Sequence, residues 1–118
     1  MLKFPKNAAK QTITLKKYLG EDDGDGFYPE PEYATPVQID HVVFQPETIY
    51  QGTNNDRQIV ASAVVFLYAN VSSPMPELTQ DNLQSIITFE GHEYTLERLI
   101  DNRQPFSNEL FSYELEVL

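Results

Sequence analysis

The run DRQIVASAVVFLYA, residues 56–69, is apolar on two alternating sets of positions at once. One set reads Ile59, Ala61, Ala63, Val65 and Leu67; the other reads Val60, Ser62, Val64, Phe66 and Tyr68. Successive side chains of a strand point to opposite faces, so a segment greasy on both sets is covered on both sides. Its β-branched and aromatic residues suit a pleated strand better than a helix. The stretch therefore predicts a strand that is central in its sheet or pressed against another subunit on one side. Val60, Val64, Phe66 and Tyr68, with Tyr50 upstream, form the candidate subunit interface. Tyrosine is large and amphipathic, which suits interfaces and cores alike.

The same two-residue period recurs. Segment 10–18, KQTITLKKY, sets Ile13 and Leu15 among polar neighbours, and 36–45, PVQIDHVVFQ, places Val37, Ile39 and Val43 on one face with His41 between the last two. The closing NELFSYELEVL directs Phe111, Tyr113, Leu115 and Val117 inward and Ser112, Glu114 and Glu116 outward. SIITF and HEYTLERLI flank Glu90-Gly91, a tight hairpin because Gly91 accepts positive φ. In the turn-rich VSSPMPELTQDN, Thr79 can cap a single helical turn reaching Leu83. Six short strands with little helix predict an all-β fold, a small antiparallel β-barrel or sandwich with long projecting loops. At 118 residues the chain is one domain, 1–118, with room for a core. Two connections, 19–35 and 45–57, exceed the roughly 12 residues beyond which a loop is usually functional or disordered.

Much chemistry is missing. There is no cysteine, so disulfides, thiolate metal sites and thiol catalysis are excluded. No apolar run reaches the roughly 18 residues that span a membrane, and MLKFPKNAAKQ lacks a signal-peptide core, so no membrane and no export are expected. His41 and His92 show no metal-ligand spacing, and Ser62 and Ser112 lie in no nucleophile elbow. Phosphate-cradling glycine motifs are absent. No catalytic residue and no cofactor is assigned; an enzyme is not expected. Charge is segregated: Lys3, Lys6, Lys10, Lys16 and Lys17 stand in the first twenty residues without an acid, while all 18 acids follow against three arginines. A net charge of −10 opposes wrapping of nucleic acid, which needs a broad positive field. The basic arm, with Lys3 and Lys6, reads as a contact to an acidic neighbour or as a solubilising end.

The stretch EDDGDGFYPEPE, residues 21–32, concentrates Glu21, Asp22, Asp23, Asp25, Glu30 and Glu32. Glu21, Asp23, Asp25 and Glu32 fall at positions one, three, five and twelve of an EF-hand-like loop, with Gly26 at the sixth. A strand rather than a helix precedes it, and Pro29 and Pro31 forbid a regular helix after it. These four are thus weak metal candidates, and the prolines of 29–36 make a stiff strut that carries the acids outward.

The tract YQGTNNDRQIVASAVVFLYANVSSPMP, followed by ITFEGHEYTLERLIDNRQPFSNELFSYELEVL, resembles the minor capsid and head-completion proteins of tailed bacteriophages, head-to-tail stoppers included. The resemblance runs from about Val37 to Leu118 and rests most on GTNNDR, on the hairpin with Tyr94 and Leu96, and on the terminal SYELEV. It implies a structural virion protein in the phage neck, made in the bacterial host cytoplasm during assembly. It implies a homo-oligomeric ring joining a portal or adaptor protein to a tail completion or terminator protein. Packaged DNA would pass nearby without sequence-specific binding, and loop 19–35 becomes the candidate channel element. The alternatives are a calcium-responsive β-binding module and another minor capsid or tail-proximal component.

Overall fold

The computed structural model describes residues 9–22, 30–53 and 55–118. Eight strands follow one another: β1 (Gln11–Lys16), β2 (Tyr18–Asp22), β3 (Glu30–Tyr33), β4 (Val37–Gln51), β5 (Gln58–Tyr68), β6 (Ile86–Phe89), β7 (His92–Arg103) and β8 (Leu110–Val117). Six of them close a barrel in the order β1-β4-β5-β8-β7-β6, every neighbour antiparallel, and β6 returns to β1. β2 and β3 form a separate two-stranded ribbon. The doubly apolar strand is central as predicted, hydrogen-bonded to β4 on one side and β8 on the other.

A six-stranded barrel is narrow, and side chains fill it. Ile13 and Leu15 of β1, Ile39 and Val42 of β4, Val65 and Leu67 of β5, Ile87 of β6, Leu96 of β7, and Leu115 and Val117 of β8 meet inside. The register stacks them, with Val65 opposite Leu115, Leu115 opposite Leu99, and Leu15 opposite Ile87. Each such side chain contributes about 1.5–3 kcal/mol by leaving water. Phe44 stacks on Phe89 at 4.1 Å between centroids and tilts against Tyr94 at 5.3 Å, closing the barrel beside the β6–β7 turn. The β5–β6 connection packs Leu78 onto the core, its backbone N–H donating to the Tyr113 hydroxyl at 3.2 Å.

Local signals hold where the backbone alone decides. Thr79 caps a 3₁₀ turn at Gln80–Asn82, and Glu90 and Gly91 both take positive φ in the β6–β7 turn. Four expectations are corrected. Val43 does not share a face with Ile39, because His41 at φ 59° inserts an extra residue opposite β1. The inward face therefore passes from Ile39 to Val42 and Phe44; Val37, at the start of β4 before the bulge, is 42% exposed. The bulge is pinned twice: the His41 ring Nδ1–H donates to the Ala9 carbonyl (3.0 Å), and the Ser72 hydroxyl donates to the His41 carbonyl (2.6 Å). The expected loop 45–57 shrinks to 52–57, since β4 runs on to Gln51 paired with β5. Where β4 outruns β1, the Phe44 N–H donates to the Gln11 side-chain oxygen at 2.7 Å.

The third correction concerns 19–35: 19–22 and 30–33 are paired strands of the β2–β3 ribbon, and 23–29 lie outside the described residues. The fourth lies in β8. A bulge opposite Asn102 and Arg103 turns Leu110 onto the core, while Phe111 contacts Tyr68 with centroids 6.2 Å apart. Ser112 and Glu116 are also covered, Glu116 being only 7% exposed.

Candidate functional site

The β2–β3 ribbon is the first candidate surface. β1 stops at Lys16, and Gly20 at φ +108° carries the chain through a bulge that leaves Leu19 exposed. The ribbon's root is clamped to the barrel through one residue. The Ser85 hydroxyl accepts the Tyr18 N–H at 2.8 Å, and the Asn82 amide donates to the Tyr18 carbonyl at 3.0 Å. Ser85 in turn donates to the Asn82 carbonyl (2.6 Å), and the Asn82 side-chain oxygen accepts the Thr79 N–H (2.9 Å). The capped turn thus fixes where the ribbon departs. Tyr18 and Tyr33 pack edge to face at 5.7 Å, and the Lys16 ammonium lies 4.8 Å from the Tyr33 ring centre.

Beyond this root the ribbon is acidic. Glu21, Glu30 and Glu32 are exposed, and the register sets Asp22 opposite Glu30. Asp23 and Asp25 lie outside the described residues, as do Lys3 and Lys6. The register also bears on the calcium-loop spacing. Glu32 pairs with Gly20 and Pro31 with Glu21, so Glu21 and Glu32 point to opposite faces of the ribbon. The first and twelfth ligands of an EF-hand-like loop do not converge here, and strands stand where its helices would be. Among the described residues no group of three or more histidines or acids is placed to hold a metal ion.

The second candidate surface is the outer side of β5 and β8. Phe66 stacks with Tyr68 at 6.2 Å, and Tyr68 meets Phe111. Burial, and then the charge of Glu114, push the Tyr68 hydroxyl above its ordinary pKa. Glu114 accepts a hydrogen bond from the Asn102 amide at 2.9 Å. Val64, between Gln45 and Glu116 across the ladder, is already buried by its own chain at 4% exposure.

Tyr50 and Val60 belong to a different place. They line a cleft of about 540 Å³ with Ile59 and Leu118, whose lining also includes Glu97 and the Arg98–Glu116 ion pair at 3.7 Å. The Arg57 guanidinium covers the Tyr50 ring at 4.2 Å. Gly52, at φ +112°, closes the β4–β5 turn so tightly that a Cβ there would strike the Asp56 carbonyl. The sequence reading missed three elements: the Ser85–Asn82 clamp, the Ile59–Leu118 cleft and Phe106, wholly exposed in the β7–β8 turn. A lone aromatic inside the turn-forming run Gln104-Pro105-Phe106-Ser107-Asn108 was the available signal for the last.

No hydroxyl in this set is paired with an imidazole. Ser62 donates to the Val117 carbonyl and Ser112 accepts from Asn102, while His92 is exposed at the β6–β7 turn. Among the described residues no helix is long and apolar enough to cross a membrane. The chain matches the family described as minor capsid protein over residues 5–117. It is 46% identical over 80 residues to the uncharacterized protein ORF5 of Lactococcus phage LL-H, covering 68% of each chain. It is 49% identical over 63 residues to ORF5 of Lactococcus phage mv4, covering 53% of this chain and 56% of that protein. No solved structure matches significantly.

Proposed function

This chain belongs to the phage minor capsid protein family, a structural component of the virion, and from that premise we propose that it is a head-to-tail connector protein. In this reading copies form a ring between the portal or adaptor and the tail completion or terminator protein, and help to retain packaged DNA. The observation that carries it is the acidic β2–β3 ribbon, separate from the closed barrel and clamped to it at Tyr18. A rigid barrel suits a packed ring wall, and a ribbon held at one end suits an element reaching beyond that wall.

The charge fits such a place. A ring would multiply Glu21, Asp22, Asp23, Asp25, Glu30 and Glu32 into a negative collar. Such a collar repels phosphate, so DNA passes without adhering. It also repels itself, so closure requires cations or a partner surface. Electron microscopy of the assembled neck tests the location: density for this barrel as a ring between portal and tail is expected. Density elsewhere on the particle would replace this reading with that of another minor capsid or tail-proximal component. The collar is tested by replacing Asp22, Asp23 and Asp25 with asparagine; unchanged DNA retention and ejection in assembled particles would refute it.

A further inference from the structure

Phe106 is 102% exposed, at the crest of a turn that is itself well ordered by hydrogen bonds. The Gln104 N–H donates to the Glu109 carbonyl at 2.8 Å, and the Asn108 N–H donates to the Gln104 carbonyl at 2.9 Å. A backbone built this firmly presents the ring outward instead of folding it back onto the barrel. The cleft of about 540 Å³ is the complementary feature: Tyr50, Ile59, Val60 and Leu118 supply its apolar lining beside the charged Glu97, Arg98 and Glu116, and Ile59 is 51% exposed. Knob and hollow lie at opposite ends of β8: Leu110 begins the strand beside Arg103, and Val117 ends it opposite Leu96. At about 3.3 Å per residue that separation is on the order of 25 Å, too far for the knob to reach its own cleft.

Charge argues for the same occupant. Arg98 pairs with Glu116 and Arg103 with Asp101, but Arg57, beside the cleft, rests on Tyr50 and has no carboxylate partner among the described residues. Glu109, beside the knob, has no cationic partner among them either. In a chain of net charge −10 an unpaired arginine next to a hollow is a specific invitation to a carboxylate.

We propose that copies of this chain associate head to tail, Phe106 of one copy seating in the Ile59–Leu118 cleft of the next and Glu109 meeting Arg57. A knob and a hole on different surfaces make a heterologous contact, which closes into a ring when the rotation between copies permits. This deepens the ring reading above and rests on it, by naming the contact between neighbours.

The absence of native cysteine supplies the test. Full-length Gln51→Cys and Ser107→Cys proteins, altered at exposed positions beside the cleft and the knob so that Ile59 and Phe106 stay native, are mixed in equal amounts and gently oxidised. The proposal expects bonds between positions 51 and 107 well above their statistical share, because the contact brings these two together and keeps like positions apart. Adding Glu109→Lys to the Ser107→Cys protein lowers that yield, and adding Arg57→Glu to its partner restores it. A purely statistical mixture of bonds, or a yield indifferent to the charge exchange, overturns the contact. The two readings fail separately. A ring in the neck whose copies touch elsewhere refutes this contact alone, whereas absence from the neck refutes the connector role whatever the cross-links show.

Discussion

Replacing Ser85 or Asn82 with alanine removes one jaw of the clamp on Tyr18 and asks what keeps the ribbon in place. A two-stranded hairpin is at best marginally stable alone, and most side chains of this one face water, so its order derives from the root. Ser85→Ala leaves the Tyr18 N–H without its acceptor at a position where Ser85 is fully buried. A buried polar group so stranded costs about 1–3 kcal/mol. Taking about 2 kcal/mol, opening of the ribbon becomes roughly thirtyfold more frequent. Amide hydrogen exchange reads this directly. The hydrogen-bonded amides of β2 and β3 should exchange roughly thirtyfold faster, while those of Val65 and Leu115 in the barrel change far less. Asn82→Ala should act in the same direction, since it frees the Tyr18 carbonyl and uncaps Thr79. The double variant should cost less than the two single costs added, because both jaws hold one residue. If ribbon and barrel amides accelerate by the same factor, the clamp belongs to the global fold and the reasoning is wrong. Unchanged ribbon exchange would be equally fatal.

Three further outcomes follow from positions already described. Leu115→Ala, fully buried between Val65 and Leu99, should lower urea stability by about 2–5 kcal/mol; a loss below about 1 would mean the site collapses freely. Gly52→Ala should cost more than Gly91→Ala: both glycines have positive φ, worth about 1–3 kcal/mol of strain, but only at Gly52 does a Cβ meet backbone. Equal thermal shifts would contradict this. Tyr68 ionises above the usual value of about 10, so the native chain keeps a proton that the unfolded chain has lost. Its contribution is intact below about pH 10 and falls as pH rises toward the raised value, so Tyr68→Phe should flatten the alkaline limb of Tm against pH.

Period-two patterning made the barrel legible: β5 and most of β8 lie where alternation and apolar content put them. Turn chemistry did the same for Thr79 and Gly91. The failures share a cause, the bulge. One extra residue at His41 moved Val43 to the outside, and another near Phe111 exchanged it with Leu110. A bulge leaves composition untouched and shifts every later residue of its strand, so no window of hydropathy reveals it. The acid-rich character of the ribbon was legible but its paired strands were not, because PEPEY carries two prolines that argue against a ladder. Its clamp was illegible for another reason. Ser85 and Asn82 meet Tyr18 across more than sixty positions of chain, and single polar residues at that separation leave no local pattern.

The bond from the Gln11 side chain to Phe44 bears on how the protein behaves when crowded. A closed ladder offers no free row of backbone donors, but β4 outruns β1, and a neighbour's strand could join there. Along that margin the Phe44 N–H is already taken by Gln11, and the next residue facing the same way, Pro46, has none to give. Strand addition finds no purchase on these two positions. Copies of the chain brought close together are thereby steered away from fibrous stacking at this margin and toward side-chain contacts, which form and release without unfolding the barrel.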